Sequence, residues 1–275
     1  SGHSFGEWPF FFNNFGSSFN NFDSSPLFKV SSAVYTPFIP LPWSFSPMIR
    51  IDAIAETSLQ PMVDGLDEIY RGIDRAQQQW REASPFSCPE GCGTCCVDFE
   101  PDVLECEALY LAVWMLIRQP ERAQAILDGT FLSPRSDADR GCMFFDPVNP
   151  YHCTVYDGRA MICRLFAYTG DRGKDGRPRW KPCRFLPLHD DDGTALLRKQ
   201  YSEEDLLREF GAVPPIMSDI TAQMLALDPG TQHIRRPLRE ALRQVLEKIT
   251  MLMRFAGPPP DNSSPEPDAP QPLAS

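Results

Sequence analysis

The chain has 275 residues, of which 42 % are hydrophobic, so it is long enough for one large domain or two small domains with a packed core. Its 37 acidic and 26 basic residues give a formal net charge of −11 at pH 7, which disfavours binding to nucleic acid or to an anionic membrane surface. No apolar run reaches the ~18 residues that a transmembrane helix needs, so we expect no membrane partner.

The two ends of the chain differ in composition from its middle. Residues 1–47 contain ten of the nineteen phenylalanines, with Asn, Ser and Gly between them and no helical or strand period. Residues 257–275 contain seven prolines. We therefore predict a low-complexity N-terminal extension (1–47), a folded domain (48–256) and a disordered Pro-rich tail (257–275). The start also lacks the features of a secretory signal, which predicts a cytoplasmic protein.

Apolar residues at alternating spacings of four and three predict several amphipathic helices. The first contains Met62, Leu66, Ile69, Ile73, Ala76 and Trp80, with Pro61 in its first turn and Pro85 at its end. A second helix is expected over Pro101–Arg118, which is apolar on most sides and should therefore be central. A short third helix is expected from Pro120 to Gly129. Two more are expected over Glu203–Phe210, after an N-cap pair of Ser202 and Asp205, and over Ile234–Phe255.

The stretch from Cys142 to Leu188 lacks a helical pattern. Residues 163–168 and 179–186 are short stretches that contain aromatic residues, and a Gly- and Asp-rich connection separates them. This arrangement predicts two short strands around a turn. The fold class is therefore mainly α, a helical domain with a small irregular cysteine-rich metal-binding insert of loops and short strands.

Nine cysteines carry the strongest chemical signal in the chain. Four of them fall within nine residues, with the spacing C-x3-C-x2-C-C, and Gly91 and Gly93 allow the tight turns that bring such sulfurs together. Soft thiolates gathered in this way select zinc, copper(I) or iron–sulfur clusters over hard cations. An odd number of cysteines without a secretory signal is atypical of a disulfide framework.

Eight of these cysteines are predicted metal ligands. Because Cys95 and Cys96 are adjacent, their sulfurs should face different centres, or one of them should bridge. Eight thiolates suit two four-ligand centres or one enlarged cluster. The predicted ligands are Cys88, Cys92, Cys95, Cys96, Cys142, Cys153, Cys163 and Cys183. Cys106 lies on an apolar face of a predicted helix, so we interpret it as a buried core thiol.

This pattern resembles the bacterial YkgJ-type cysteine-cluster family, a zinc- or iron-chelating domain with a CxxCxxCC signature. The first four cysteines match its first group, Cys142 the next, residues 153–164 its central element, and Cys183 its last. Two departures are a first gap of three residues instead of two, and Ala160 where the family has Pro. The resemblance covers residues 88–186 and implies eight metal-binding cysteines, iron–sulfur or zinc as cofactor, and an iron–sulfur oxidoreductase-like role. Whether the protein is an enzyme stays open.

Three arginines lie next to predicted ligands: Arg159, Arg164 and Arg184. We predict that they line the cofactor site, because guanidinium groups can offset the surplus negative charge of thiolates and donate hydrogen bonds to sulfur. Ordinary ion pairs with the many acids are the alternative. His152 and His189 could also act as ligands, although a packed or solvent-facing histidine is more common.

Three functions are compatible with these residues. The first is an iron–sulfur protein with a redox or electron-transfer role and a redox partner. The second is a zinc-stabilised module that binds a partner protein without catalysis. The third is nucleic-acid binding through a basic loop that contains Arg172, Lys174, Arg177, Arg179, Lys181 and Arg184 with Trp180, which the acidic net charge disfavours. The spacing of the cysteines does not separate the first two, nor does it give an oligomeric state.

Overall fold

The structure is a computed structural model that describes residues 49–88, 92–135, 141–149, 151–186, 195, 198–230 and 234–255. The predicted N-terminal extension (1–47) and Pro-rich tail (257–275) lie outside these ranges. Eight helices and five short strands in the described ranges confirm the mainly α fold class.

The first two helices are α1 (Asp52–Ala55) and α2 (Leu59–Ala83). The apolar stripe predicted for α2 is confirmed, since Leu66, Ile73 and Trp80 are buried along one face. Pro61 lies in the first turn as expected, and the helix ends two residues before Pro85. Ser84 has the extended conformation that a following proline favours.

The next elements are β1 (Asp102–Val103), α3 (Glu105–Arg118) and α4 (Pro120–Leu127). The start predicted for α3 at Pro101 was wrong, because Asp102 and Val103 form an antiparallel pair with residues 236–237. The central position of α3 is confirmed, as this helix packs against α2, α4 and the last helix. Gly129, at φ 70°, closes α4 as predicted.

The cysteine-rich region contains α5 (Met161–Leu165), β2 (Asp171–Arg172), β3 (Pro178–Trp180) and β4 (Tyr201–Ser202). The strand predicted over residues 163–168 was wrong. Helical hydrogen bonds form there instead, from the amide of Arg164 to the carbonyl of Ala160 (3.1 Å) and from Phe166 to Ile162 (3.2 Å). The second predicted strand is shorter than expected, and it is the middle strand of an antiparallel sheet in the order β2-β3-β4.

The chain continues through α6 (Glu203–Phe210), α7 (Met217–Leu227), β5 (Arg236–Pro237) and α8 (Leu238–Phe255). The predicted cap of α6 is confirmed: the Asp205 amide donates to Ser202 Oγ at 3.2 Å, and the Ser202 amide donates to Asp205 Oδ2 at 3.3 Å. The sequence pattern did not predict α7. The last helix begins later than the expected Ile234, because residues 236–237 pair with β1.

Two hydrophobic cores lie side by side in this domain. The larger one is formed by α1, α2, α3, α4, α7 and α8. The smaller one is aromatic and contains Trp80, Phe86, Trp180, Leu186, Tyr201 and Leu206. The rings of Trp80 and Trp180 are 5.1 Å apart, so the end of α2 packs directly on β3. Across the described ranges, every helix is too short or too polar for a membrane crossing.

The cap of α6 can be tested by Ser202→Ala. The substitution removes the acceptor for the Asp205 amide, and we expect the free energy of unfolding to fall by about 1 kcal/mol in urea titrations. Ser218→Ala, at an exposed position inside α7, is the control and should leave stability unchanged or slightly raised. Equal stability of the two variants would contradict the capping role.

Candidate metal centre

The loop that carries the first four cysteines ends in a single 3-10 turn, Thr94–Cys96. The amide of Cys96 donates to the carbonyl of Gly93 at 2.8 Å. This tight turn brings the sulfurs of the adjacent Cys95 and Cys96 to 3.7 Å from each other. Two neighbouring thiols, which a strand would point apart, therefore lie together.

Four thiols from two distant segments interact with one another; we call Cys88, Cys92, Cys95 and Cys183 the first thiol group. Burial, together with the neighbouring thiols of Cys92, Cys95 and Cys183, raises the pKa of Cys88 to about 12. The pKa of Cys183 is raised by burial and then by Cys95 and Cys92. The backbone amide of Cys88 donates to Tyr168 Oη at 3.0 Å, which fixes the start of the loop. All four were predicted ligands, and the fold places Cys183 with the thiols of the first loop.

Cys142, Cys153 and Cys163 form a second thiol group. Cys142 and Cys153 lie on the two arms of a hairpin, in which Cys153 pairs antiparallel with Phe145. Cys163 lies on α5. Burial is the main cause that raises the pKa of Cys142 to about 11, and the neighbouring thiol of Cys153 contributes to this rise. The pKa of Cys163 is raised well above its ordinary value, by burial first and then by Cys142 and Cys153.

The guanidinium of Arg159 acts electrostatically on thiols of both groups. The charge of Arg159 lowers the pKa of Cys95 in the first group and of both Cys153 and Cys163 in the second, against the larger effects that raise them. Cys96 joins the first group through its hydrogen bond with Cys95, and this bond is the main cause of the raised pKa of Cys95.

His152 packs the first loop onto the hairpin of the second thiol group. Its backbone has φ 50°, an uncommon conformation for a residue other than glycine, and its ring stacks on Phe145 at 5.8 Å. A Cβ atom at Gly93 would lie 2.4 Å from the His152 ring. Only glycine fits at position 93, and His152 therefore serves as a packing residue here.

Arg164 is almost completely buried and bonds to backbone oxygens. Its Nε donates to the carbonyl of Arg159 at 3.0 Å, and its Nη2 donates to the carbonyl of Asp157. Its guanidinium carbon lies 4.2 Å from the ring centroid of Tyr70, and Nη1 is 3.8 Å from Asp74 Oδ2. These contacts fix the turn before α5, so the predicted role of Arg164 toward sulfur is at most electrostatic.

The other two predicted arginines lie nearer the surface. The guanidinium of Arg159 covers the ring of Tyr156 at 3.4 Å, and its Nε donates to the Tyr156 carbonyl at 2.6 Å. Arg184 lies over the ring of Phe185 at 4.5 Å. The charge of Arg184 opposes the rise that burial causes in the pKa of Cys183.

A clamp that the sequence pattern did not reveal joins the two cysteine regions to α8. Arg239 Nε lies 2.8 Å from Glu100 Oε2, and Arg239 Nη2 donates to the carbonyl of Gly141 at 2.9 Å. Glu100 follows the first loop, and Gly141 precedes Cys142. Since the partners are 139 and 98 positions apart, no local signal could have identified this clamp.

Cys106 is separate from both thiol groups. Its side chain is 2 % exposed in the main core, which confirms the prediction of a buried core thiol. All nine cysteines are free thiols in the structure.

The chemistry of the donors fits a soft metal. The eight thiols outside the main core are partly accessible and concentrated in two neighbouring groups, as zinc and iron require. Within the described residues, no three Cys, His, Asp or Glu side chains have the spacing of a metal centre. Gly91 and His189 lie outside the described residues.

Carboxylates pair with half of the basic side chains in the basic loop. Three of its six basic residues form ion pairs: Arg172 with Asp219, Arg177 with Glu204 and Arg179 with Asp175. Trp180 is 2 % exposed and belongs to the aromatic core, where it cannot stack on a base. These contacts weigh against the nucleic-acid hypothesis.

Comparison with known families identifies the cysteine-rich segment. Residues 87–187 match the family model CxxCxxCC, described as a "Putative zinc- or iron-chelating domain". The match confirms the resemblance to a cysteine-cluster family and gives zinc or iron as the metal for this segment, which is less than half of the chain. No curated protein and no solved structure matches.

The contact between His152 and Gly93 can be tested by Gly93→Ala. The new methyl group overlaps the His152 ring, and we expect a loss of about 1–3 kcal/mol in the free energy of unfolding, typical of overpacking, together with reduced bound metal. Urea unfolding and elemental analysis measure the two effects.

Gly72→Ala is the matched control. The nearest atom to its new Cβ, on Arg75, is 4.0 Å away, so we expect a gain of up to about 1 kcal/mol from helix propensity and unchanged metal content. Wild-type stability in Gly93→Ala would show that the loop and the hairpin do not touch as described.

Proposed function

We propose that the eight cysteines hold iron in two neighbouring iron–sulfur centres and that the protein transfers electrons. The observation that carries this proposal is that Arg159 acts electrostatically on thiols of both groups, while the sulfurs of Cys95 and Cys96 lie 3.7 Å apart. With Cys96 the first group has five thiols, whereas the second has three, so we assign Cys96 as the fourth ligand of the second centre or as a bridge.

Each set of residues has a defined part in this function. The thiols lose their protons when a metal binds, since the thiolate is the ligand. Arg159 offsets the resulting negative charge on both groups, and Arg184 does so at Cys183. An iron–sulfur centre supplies one-electron chemistry, with a potential that depends on charge, hydrogen bonds to sulfur and solvent exposure.

Partial exposure of the site supports electron transfer to a partner. The eight proposed ligands are neither buried in the core nor fully exposed. Tyr151 and Tyr156, which precede and follow Cys153 closely in sequence, have exposed rings 4.6 Å apart. A redox partner could therefore approach the second thiol group at this surface.

A zinc-stabilised interaction module is the second candidate. The cysteines lie on segments that pack on both hydrophobic cores, with Cys183 against the aromatic core and Cys142, Cys153 and Cys163 against the main one. A bound zinc pair would cross-link these segments and stabilise the domain without any reaction.

The two candidates differ in metal content. Anaerobic purification followed by iron, zinc and sulfide analysis should give a brown protein with iron and acid-labile sulfide if the iron–sulfur proposal holds. A colourless, zinc-containing protein whose thermal stability collapses with a chelator would support the second candidate instead. Folded protein with free thiols and neither metal would overturn both.

Cysteine substitutions can assign the ligands. Cys142→Ser and Cys163→Ser each remove a member of the second thiol group, and we expect loss of one of the two centres, roughly half of the bound metal. Cys106→Ala is the matched control, because this thiol is buried in the main core, and its metal content should equal that of the wild type. Full metal content in Cys163→Ser would remove Cys163 from the ligand set.

A further inference from the structure

Glu107 is a buried acid on the central helix, and both of its oxygens accept backbone hydrogen bonds. The side chain is 2 % exposed. Oε2 accepts from the amide of Leu104 at 2.9 Å, at the start of α3. Oε1 accepts from the amide of Met161 at 2.8 Å, across 54 positions of sequence. One carboxylate therefore joins the beginnings of two helices.

The second of these hydrogen bonds determines where α5 begins. Met161 is the first residue of α5, and Cys163 follows two positions later. The N-cap residue of this helix is Ala160, whose side chain carries no acceptor, so Glu107 supplies the acceptor from another element. A helix of only five residues has little stability of its own and depends on such contacts.

A second contact holds the same segment against α3. A Cβ atom at Gly158 would lie 2.9 Å from Leu111 and 3.0 Å from Trp114, so the turn before α5 rests directly on α3. Glu107 and this close approach together leave α5 little freedom to shift relative to α3. The sulfur of Cys163 then has a defined place beside Cys142 and Cys153.

Burial of Glu107 disfavours the ionised form of its carboxyl group. Burial raises its pKa, whereas the hydrogen bonds from Leu104 and Met161 and the charge of Arg235, 3.9 Å away, lower it. A neutral acceptor could satisfy one amide, but a carboxylate can accept from two separate segments at once.

We propose that Glu107 is the positioning residue that sets Cys163 in the second thiol group. This inference rests on the proposed function, since it requires Cys163 to be a metal ligand. Glu107 acts through its hydrogen bond to Met161 at the start of α5, and its charge also raises the pKa of Cys163. A residue with this role changes metal affinity without contacting the metal.

The test is Glu107→Gln in the full chain, compared with Glu105→Gln. The amide keeps the shape of the side chain but offers only one acceptor oxygen, so one of the two backbone amides loses its partner. Glu105 is on the same helix and pairs at the surface with Lys248 (2.8 Å), so its substitution removes the same charge without disturbing α5.

Zn(II) affinity is measured anaerobically by competition with a chromophoric chelator, and melting temperature is measured with and without Zn(II). We expect Glu107→Gln to bind the more weakly held Zn(II) ions about 10–100-fold less tightly than the wild type does. Its melting temperature should also rise less when Zn(II) is added. Glu105→Gln should equal the wild type in both measurements. In a Cys163→Ser background, Glu107→Gln should have no further effect on affinity.

Two results would overturn the inference. One is wild-type Zn(II) affinity in Glu107→Gln; the other is a melting temperature lowered equally with and without Zn(II), which a purely structural role would give. If Glu107→Gln does not fold, Glu107→Asp takes its place as the test. This substitution keeps the charge on a side chain that is one methylene shorter, and it must show the same loss of Zn(II) affinity. A wild-type protein that binds no metal would instead remove the proposed function.

Discussion

Backbone groups of the cysteine-bearing segments must find hydrogen-bond partners, and this requirement governs how the domain is built. These segments have little regular secondary structure, so few partners come from their own backbone. Side chains on the long helices supply them instead. Glu107 of α3 accepts from Met161, Arg239 of α8 donates to Gly141, and Gln77 of α2 donates to the carbonyl of Arg164 at 2.5 Å. The helical scaffold thus positions the thiols through single polar contacts.

The arrangement of the two cores follows from the length of α2. Its first half packs in the main core, and Trp80, near its end, packs in the aromatic core. The first cysteine loop follows directly after α2, while Cys183 follows β3, which packs on Trp80 through Trp180. One helix therefore brings the two parts of the first thiol group into the same region.

Local signals in the sequence predicted the features that local interactions create. The apolar stripe of α2, the cap formed by Ser202 and Asp205, and the end of α4 at Gly129 all depend on residues within a few positions of each other. The cysteine spacing predicted the donor chemistry in the same way. The family match at residues 87–187 agrees with that chemistry.

Features created by distant contacts were missed. The start of α5 depends on Glu107, and the delayed starts of α3 and α8 follow from the pairing of Asp102 with Pro237. The membership of Cys183 in the first thiol group depends on the packing of two tryptophans that are far apart in sequence. The one local hint of the role of Glu107 is its position three residues after Leu104, the N-cap residue of α3. A Glu at that position often accepts a hydrogen bond from the N-cap amide of its own helix.

The packing of α3 against α8 has a consequence for biosynthesis. Helix α3 is apolar on nearly every side, and α8, which covers it, is the last helix of the described chain to be translated. A nascent chain therefore carries an incompletely covered apolar helix until α8 has been translated. During this interval the exposed apolar surface of α3 favours aggregation or chaperone binding. Assembly of the core, and with it the anchoring of the thiols, is thereby deferred until α8 emerges.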